Sequence, residues 1–180
     1  MRVFVAALLP DVTRDALEAV ITPIRAQAPA LTWEQPERWH ITLAFLGEVD
    51  EELVRRLQPR LERAASRTSR LELSLEGLGR FGDRALYAKV IGDRTALRRL
   101  ADRTTAAARR AGADVDESRF RPHVTLARSR RSDPLLPLVE AGSELHIKGW
   151  VVDEFCLVRS VLSGDRHYEV LHRFALASGV

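Results

Sequence analysis

An α+β fold of two lobes is predicted for this chain, on three observations. Short β-branched and aromatic runs alternate with polar residues in the period of a strand. Between them lie segments with apolar residues three and four apart, the spacing of a helix buried along one side. Each half of the chain also runs strand, helix, strand, helix, strand. The middle strand of each half contains His, any residue, Thr, Leu: His40-Ile41-Thr42-Leu43 and His123-Val124-Thr125-Leu126. Outside these tetrapeptides the halves match poorly, so the repeat is one of architecture. No low-complexity segment or linker divides them, and residues 1–180 are expected to form a single domain in which each lobe contributes one H-x-T-L motif.

Taken in order, Val3–Leu9 is short, β-branched and aromatic, a buried first strand. Asp11 or Thr13 is expected to cap a helix whose buried face is Leu17, Val20, Ile21 and Ile24, with Pro23 kinking it or ending it early. Leu31–Glu34 is a short extended piece, and the first His strand then runs to Gly47, which is expected to terminate it. Asp50 caps a second helix with Glu51 and Glu52 in its first turn and Leu53, Leu57 and Leu61 on one face, although Pro59 weakens its middle. Leu71, Leu73 and Leu75 alternate with polar residues in a half-buried strand, and Ala85–Ile91 forms the next. Thr95–Ala111 is a helix stopped by Gly112, and a polar loop, Ala113–Arg119, leads to the second His strand. Asp133-Pro134 starts a short helix through Val139, stopped by Gly142. Strands follow at about Glu144–Val151, Glu154–Ser160 and Tyr168–Ala175.

Composition narrows the classes of function. A chain of this length buries roughly 70% of its extended surface and can hold a substantial core. The single Cys156, set in an apolar run, excludes an intrachain disulfide and a cysteine-based zinc site, and reads as a buried inert thiol. Val3–Leu9 is too short to span a membrane and lacks a cleavage pattern after it, so a cytoplasmic protein is expected. The net charge is +3, and only Lys89 and Lys148 among the 28 basic residues are lysines. Arginine forks suit phosphate recognition. A coding bias toward arginine gives the same counts, and composition favours that simpler source. The charge permits a polyanionic partner without demanding one.

Alternation carries the chemistry. In the first motif Ile41, Leu43 and Phe45 fall on one face and His40, Thr42 and Ala44 on the other; in the second, Val124 and Leu126 oppose His123, Thr125 and Ala127. Two such strands face to face would set two imidazoles and two hydroxyls around one cleft. A lone His on a strand is usually structural, but two in the same frame in two halves point to acid–base work, since one can be neutral while the other is charged. Neither motif offers a carboxylate, and threonine is a poor zinc ligand, so no metal is expected. Gly77–Gly82 fits G-x-G-x-x-G, but a strand rather than a helix follows it, which makes it a hairpin connection. His146, His167 and His172 have no repeated context and read as structural or surface residues.

The paired motifs, the contexts Phe120–Arg128 (FRPHVTLAR) and Trp39–Val49 (WHITLAFLGEV), and the Arg159-Ser160…Tyr168-Glu169-Val170-Leu171 run resemble the two-histidine (2H) phosphoesterases, in particular the RNA 2′,3′-cyclic phosphodiesterases, also called 2′-5′ RNA ligase-like proteins. The resemblance covers almost the whole chain. It implies a bilobal, pseudo-twofold α+β fold with two antiparallel-rich sheets lining a central groove and helices outside. It implies hydrolysis of an RNA 2′,3′-cyclic phosphate to a 2′-phosphomonoester with no metal and no cofactor. Carried over, His40 is the proton donor, His123 the proton acceptor, and Thr42, Thr125 and Arg128 bind the phosphate. Strict alternation puts Arg128 opposite His123, so a bulge after Leu126 is needed to re-aim it. The expected partner is RNA with a 2′,3′-cyclic phosphate end or a small cyclic nucleotide, with the protein acting as a monomer and not on a membrane. Another cyclic phosphate substrate, 2′-5′ ligation, or RNA-end binding with little turnover are the alternatives.

Overall fold

In the computed structural model, which describes residues 1–115, 118–131, 133–164 and 166–178, strands from both ends of the chain interlock in two antiparallel sheets. The first sheet has the order β3 (His40–Glu48), β1 (Arg2–Leu8), β8 (Glu154–Val161), β9 (His167–Ala175). The second has the order β2 (Thr32–Trp33), β6 (His123–Arg128), β5 (Ala85–Gly92), β4 (Leu71–Phe81), β7 (His146–Val152). In each sheet the His strand pairs with the strand that precedes it through a long helix: β1 through α1 (Asp11–Gln27), and β5 through α3 (Arg94–Ala111). The halves also trade elements. β8 and β9 complete the first sheet, while β2 extends the second beyond β6. Helices cross over as well, with α1 packing on β7, α3 on β3, and α2 (Glu51–Ser66) on α3 and β9. Among the described residues no helix is long and apolar enough to cross a membrane.

One apolar core joins these layers. Val3, Val5, Ile41 and Leu43 of the first sheet, Leu73, Leu75, Leu86 and Val124 of the second, and Leu17, Ile21, Leu57, Leu61, Leu97 and Leu100 of the helices belong to the same buried cluster. Each fully buried aliphatic side chain contributes about 1.5–3 kcal/mol. Leu17, Ile21 and Ile24 of α1, Leu53, Leu57 and Leu61 of α2, and Leu71, Leu73 and Leu75 of β4 are buried as their spacing predicts, whereas Val20 is only partly so.

Element ends follow from local chemistry, with some departures from expectation. Asp50 caps α2 as expected, its carboxylate accepting the Leu53 N–H at 2.7 Å. Gly112, at φ 99°, ends α3 in the left-handed conformation. In α1, by contrast, Pro10 takes the N-cap position with no side-chain cap, and Asp11 is the first helical residue. Pro23 does not end that helix either. Its missing N–H is offset by buried Ile24 beyond it and by Arg25, whose guanidinium donates two 2.9 Å bonds to Glu18 across the proline. Pro59 likewise lies within a continuous α2. The short helix α4 begins at Leu136 and ends at Ala141, later than expected. Asp133 is held outside it, its N–H and carboxylate both bonded to the Ser129 hydroxyl (2.9 and 2.8 Å). Asp116 and Glu117 of the predicted polar loop lie outside the described residues.

The glycine pattern is a hairpin as expected, although more of it is strand. Gly77 and Gly79 lie within β4, and Gly82 begins the turn to β5. Gly79 pairs with Tyr87, whose ring lies across it; a Cβ at Gly79 would come within 2.5 Å of that ring. Gly79→Ala is therefore expected to cost about 1–3 kcal/mol by overpacking, read as a lower denaturant midpoint with an unchanged slope. Wild-type stability in this variant would mean the ring moves aside freely.

Candidate active site

β3 and β6 approach each other where the sheets meet, and both are bulged at the same place. In β3, Ala44 pairs with Val5 and Thr42 with Ala6, which leaves Leu43 as the extra residue. In β6, Ala127 pairs with Leu86 and Thr125 with Tyr87, which leaves Leu126 extra. Each bulge reverses the alternation after the Leu of its motif. Leu43 and Ala44 are both buried, as are Leu126 and Ala127. Simple alternation is corrected here: Ala44 and Ala127 belong to the core side, and Phe45 turns toward the groove with His40 and Thr42. The same device turns Arg128 to the side of His123 and Thr125. A further irregularity places Gly47, at φ 69°, inside β3, which continues to Glu48 instead of terminating there.

The result is one groove of about 900 Å³ that brings together all five predicted residues, His40, Thr42, His123, Thr125 and Arg128. The histidines are held alike. His40 Nδ1 lies 2.7 Å from the Arg38 carbonyl oxygen and His123 Nδ1 lies 2.5 Å from that of Arg121. A carbonyl oxygen can only accept, so each Nδ1 carries the proton and each Nε2 remains for chemistry. His40 Nε2 is 3.1 Å from the Thr42 hydroxyl. Two aromatic rings flank each imidazole. Phe4 and Tyr168 lie 4.8 and 5.4 Å from His40, and Phe81 and Tyr87 lie 4.8 and 5.4 Å from His123, all measured between ring centres.

These rings were not singled out from sequence, because Phe4, Phe81 and Tyr87 sit in strands where an aromatic ordinarily signals core. The available clue was pairing: β1 and β5 are the in-sheet neighbours of the His strands. Glu34 was missed too. It follows β2, donates its N–H to the Leu126 carbonyl at 2.8 Å, and places its carboxylate 3.3 Å from Arg38 and 3.8 Å from Arg128. Arg38 in turn lies over the Tyr168 ring at 4.9 Å. Glu34 thus aims two guanidinium groups along the groove wall.

Charge in the groove is one-sided. Arg2, Arg38, Arg84, Arg128, Arg130 and Arg166 line it, against Glu34 among the described residues. Burial pushes His40 down to about 4, with His123, Arg38 and Arg128 acting in the same direction and the bond to the Arg38 carbonyl opposing them. His123 is lowered by burial first and then by Arg128, against its own carbonyl bond. Both shifts favour the neutral imidazole in the protein alone.

The remaining candidates fall elsewhere. His146 pairs with Glu76 at 3.2 Å and His167 with Glu169 at 3.4 Å, both on the surface. Cys156 is buried, and burial raises its thiol to about 11. Among the described residues no group of three or more His, Cys, Asp or Glu is placed to hold a metal ion.

Residues 13–163 match the 2′-5′ RNA ligase superfamily. This chain belongs to that superfamily. It is 35% identical over 196 residues to an RNA 2′,3′-cyclic phosphodiesterase of Thermus thermophilus, covering 98% of this chain and 90% of the relative. A relative of the same name from Geobacillus stearothermophilus is 30% identical over 179 residues, and the match covers 96% of this chain but only 56% of that longer protein. The superfamily fold is shared with a solved structure from Thermus thermophilus (TM-score 0.80, 27% identity, 99% of both chains). Escherichia coli LigT, solved in complex with 3′-AMP, superposes with a TM-score of 0.76 at 28% identity over 98% of both chains.

The depressed imidazoles have a consequence for stability. Between the ordinary histidine value of about 6.5 and about 4, the unfolded chain binds protons that the folded chain refuses. Stability is therefore full above that window and is lost as pH falls through it. The denaturant midpoint is expected to drop between pH 7 and 4, and to drop less in His40→Gln. Equal pH dependence in the two proteins would assign the loss to other groups.

Proposed function

We propose that this protein opens the 2′,3′-cyclic phosphate ends of RNA to 2′-phosphomonoesters, using its two histidines as acid and base without a metal. The observation that carries this reading is the duplicated His cradle: two imidazoles with Nδ1 fixed and Nε2 presented to one arginine-lined groove. The names of the relatives and the 3′-AMP complex of LigT support a nucleotide phosphate as the group that seats there. Each lobe supplies one histidine, so the two act as one functional domain.

In the proposed reaction His123 Nε2 takes a proton from water as its oxygen forms the new bond to phosphorus. His40 Nε2–H gives its proton to the 3′-oxygen as the bond from phosphorus to that oxygen breaks. The hydroxyls of Thr42 and Thr125 donate to the non-bridging oxygens, and the fork of Arg128 offsets the charge that builds on them. Desolvation and the neighbouring cations work against a charged His40, and a bound phosphodiester anion works for it. The substrate thereby helps to charge its own acid, and positioning and fixed charge do the work a Lewis acid would otherwise do.

His40→Ala and His123→Ala are each expected to lower kcat by about 10²–10⁴-fold, and the double variant to be little worse than the worse single. The test is turnover of a short RNA ending in a 2′,3′-cyclic phosphate, beside mononucleotide 2′,3′-cyclic phosphates and their 3′,5′ isomers. Near-wild-type turnover by either single variant on every substrate would remove the acid–base pair. Because both imidazoles are depressed in the free protein, the kcat/KM profile is expected to be a bell centred on the acid side of about pH 6.5. The kcat profile should be displaced to higher pH by the bound anion, and a flat profile through this range would contradict the scheme.

Arg128→Lys keeps the charge but loses the planar fork. It is expected to lower kcat/KM while unfolding at the wild-type denaturant midpoint, since Arg128 is exposed on the groove wall. Full activity in this variant would move the phosphate clamp to another arginine.

A further inference from the structure

The groove does not end at His123. A second cavity of about 710 Å³ shares Thr42, Phe45 and His123 with it and is lined beyond them by Asp102, Thr105 and Arg109 of α3 and by Arg119 and Arg121. A third cavity, of about 380 Å³, lies between α3 and α2 and shares Asp102 with the second. Its walls carry Arg60, Arg63 and Arg67 from α2 and its C-cap, and Arg103 and Arg110 from α3. Residues 102, 105 and 109 form one stripe of α3, and residues 103, 106 and 110 form the adjacent stripe, so the two cavities flank one exposed helix ridge. From Asp102 to Arg110 that ridge rises about 12 Å. Arg103 donates to the Arg67 carbonyl at 2.6 Å and to the Thr68 hydroxyl at 2.7 Å, which fixes the end of α2 against α3.

The charge along this path is not what a coding bias would leave. Fourteen of the 28 Lys and Arg residues line the three adjoining cavities, against two carboxylates, Glu34 and Asp102, among the described residues. The other fourteen cations share the rest of the chain with 20 described carboxylates, which leaves that surface acidic. A bias in codon use would spread arginine over every face alike. A mononucleotide fills one groove and has no use for arginines on the far side of α3.

We infer that the arginine track over α3 into the cleft with α2 is a docking path for the sugar–phosphate backbone of single-stranded RNA, whose end reaches the histidines. The path meets repeated phosphate charge, which a succession of arginines lining adjoining cavities matches. It makes the protein prefer polymers over mononucleotides. The preference resides in KM, because these arginines do not touch the reacting phosphate. For catalysis the inference rests on the proposed function; for binding it does not.

The test compares wild type with Arg63→Gln, Arg67→Gln and Arg110→Gln combined. None of these three side chains has an ion pair among those the structure shows, and glutamine keeps helix propensity. One arm measures turnover of a ten-nucleotide RNA and of a mononucleotide, each with a 2′,3′-cyclic phosphate. The variant is expected to raise KM for the oligonucleotide about tenfold, with the mononucleotide KM and both kcat values within twofold. A second arm measures, by anisotropy, binding of the same oligonucleotide ending in a 2′-phosphate between 0.05 and 0.2 M salt. The slope of log affinity against log salt is expected to lessen by about 2 for three lost phosphate contacts. An unchanged affinity and slope would overturn the track, as would equal losses on oligonucleotide and mononucleotide with a lowered denaturant midpoint. If wild type turns over neither cyclic phosphate but the variant still loses oligonucleotide binding and slope, the proposed reaction falls and the track stands.

Discussion

An extra leucine in each His strand sets the chemistry of the groove. Without the bulges at Leu43 and Leu126, continuous pleating would carry Phe45 and Arg128 into the core side and bring Ala44 and Ala127 to the groove. A buried unpaired guanidinium is prohibitively costly, so the second motif in particular requires the bulge if Arg128 is to follow a Leu-Ala pair in a strand. The register irregularities in both sheets lie at the same step of the same tetrapeptide. The repeat thus includes a backbone device as well as side chains. One groove wall receives an aromatic face at this position and the other a cation, and the two lobes cease to be equivalent there.

The second shared device is the carbonyl beneath each imidazole. Arg38 and Arg121, both two residues before a histidine, supply the acceptor that fixes Nδ1–H. Their guanidinium groups go separate ways: Arg38 is held by Glu34 and Tyr168 beside the groove, whereas Arg121 lines the second cavity. The backbone positions both histidines, and the Arg38 guanidinium also acts on the charge of His40. Burial between aromatic walls disfavours the charged form of both imidazoles.

How much of this was readable beforehand depended on the range of the cause. Asp50 and Gly112 act within a turn, and they marked their helix ends correctly. The histidines and threonines were legible because a repeated tetrapeptide is a local signal. Arg128 came from the family resemblance, and the conflict between its parity and its role pointed to the bulge that the structure contains. Phe45 shows the limit: the same bulge governs it, but no tension in the sequence required one in β3. That α1 continues past Pro23 was not legible, because the bracing of Glu18 by Arg25 across it and the burial of Ile24 are tertiary facts. Phe4, Tyr168, Phe81 and Tyr87 reach the imidazoles only through strand pairing, and the clustering of arginine along α2 and α3 exists only once those helices are packed.

The exchange of strands between the sheets bears on how the protein is made. β1 is synthesised well before its partner β8, which begins only at Glu154. At typical elongation rates roughly 10–30 s separate the two. During that interval the apolar residues Val3–Ala7 have β3 on one edge and no native neighbour on the other. Long-range pairing of this kind slows folding, and an unpaired strand edge is the usual route to misassociation. Tyr168, one wall of the His40 cradle, arrives later still. A nascent chain can carry both H-x-T-L motifs without a complete groove, because the strands that close the first sheet follow both motifs in the chain.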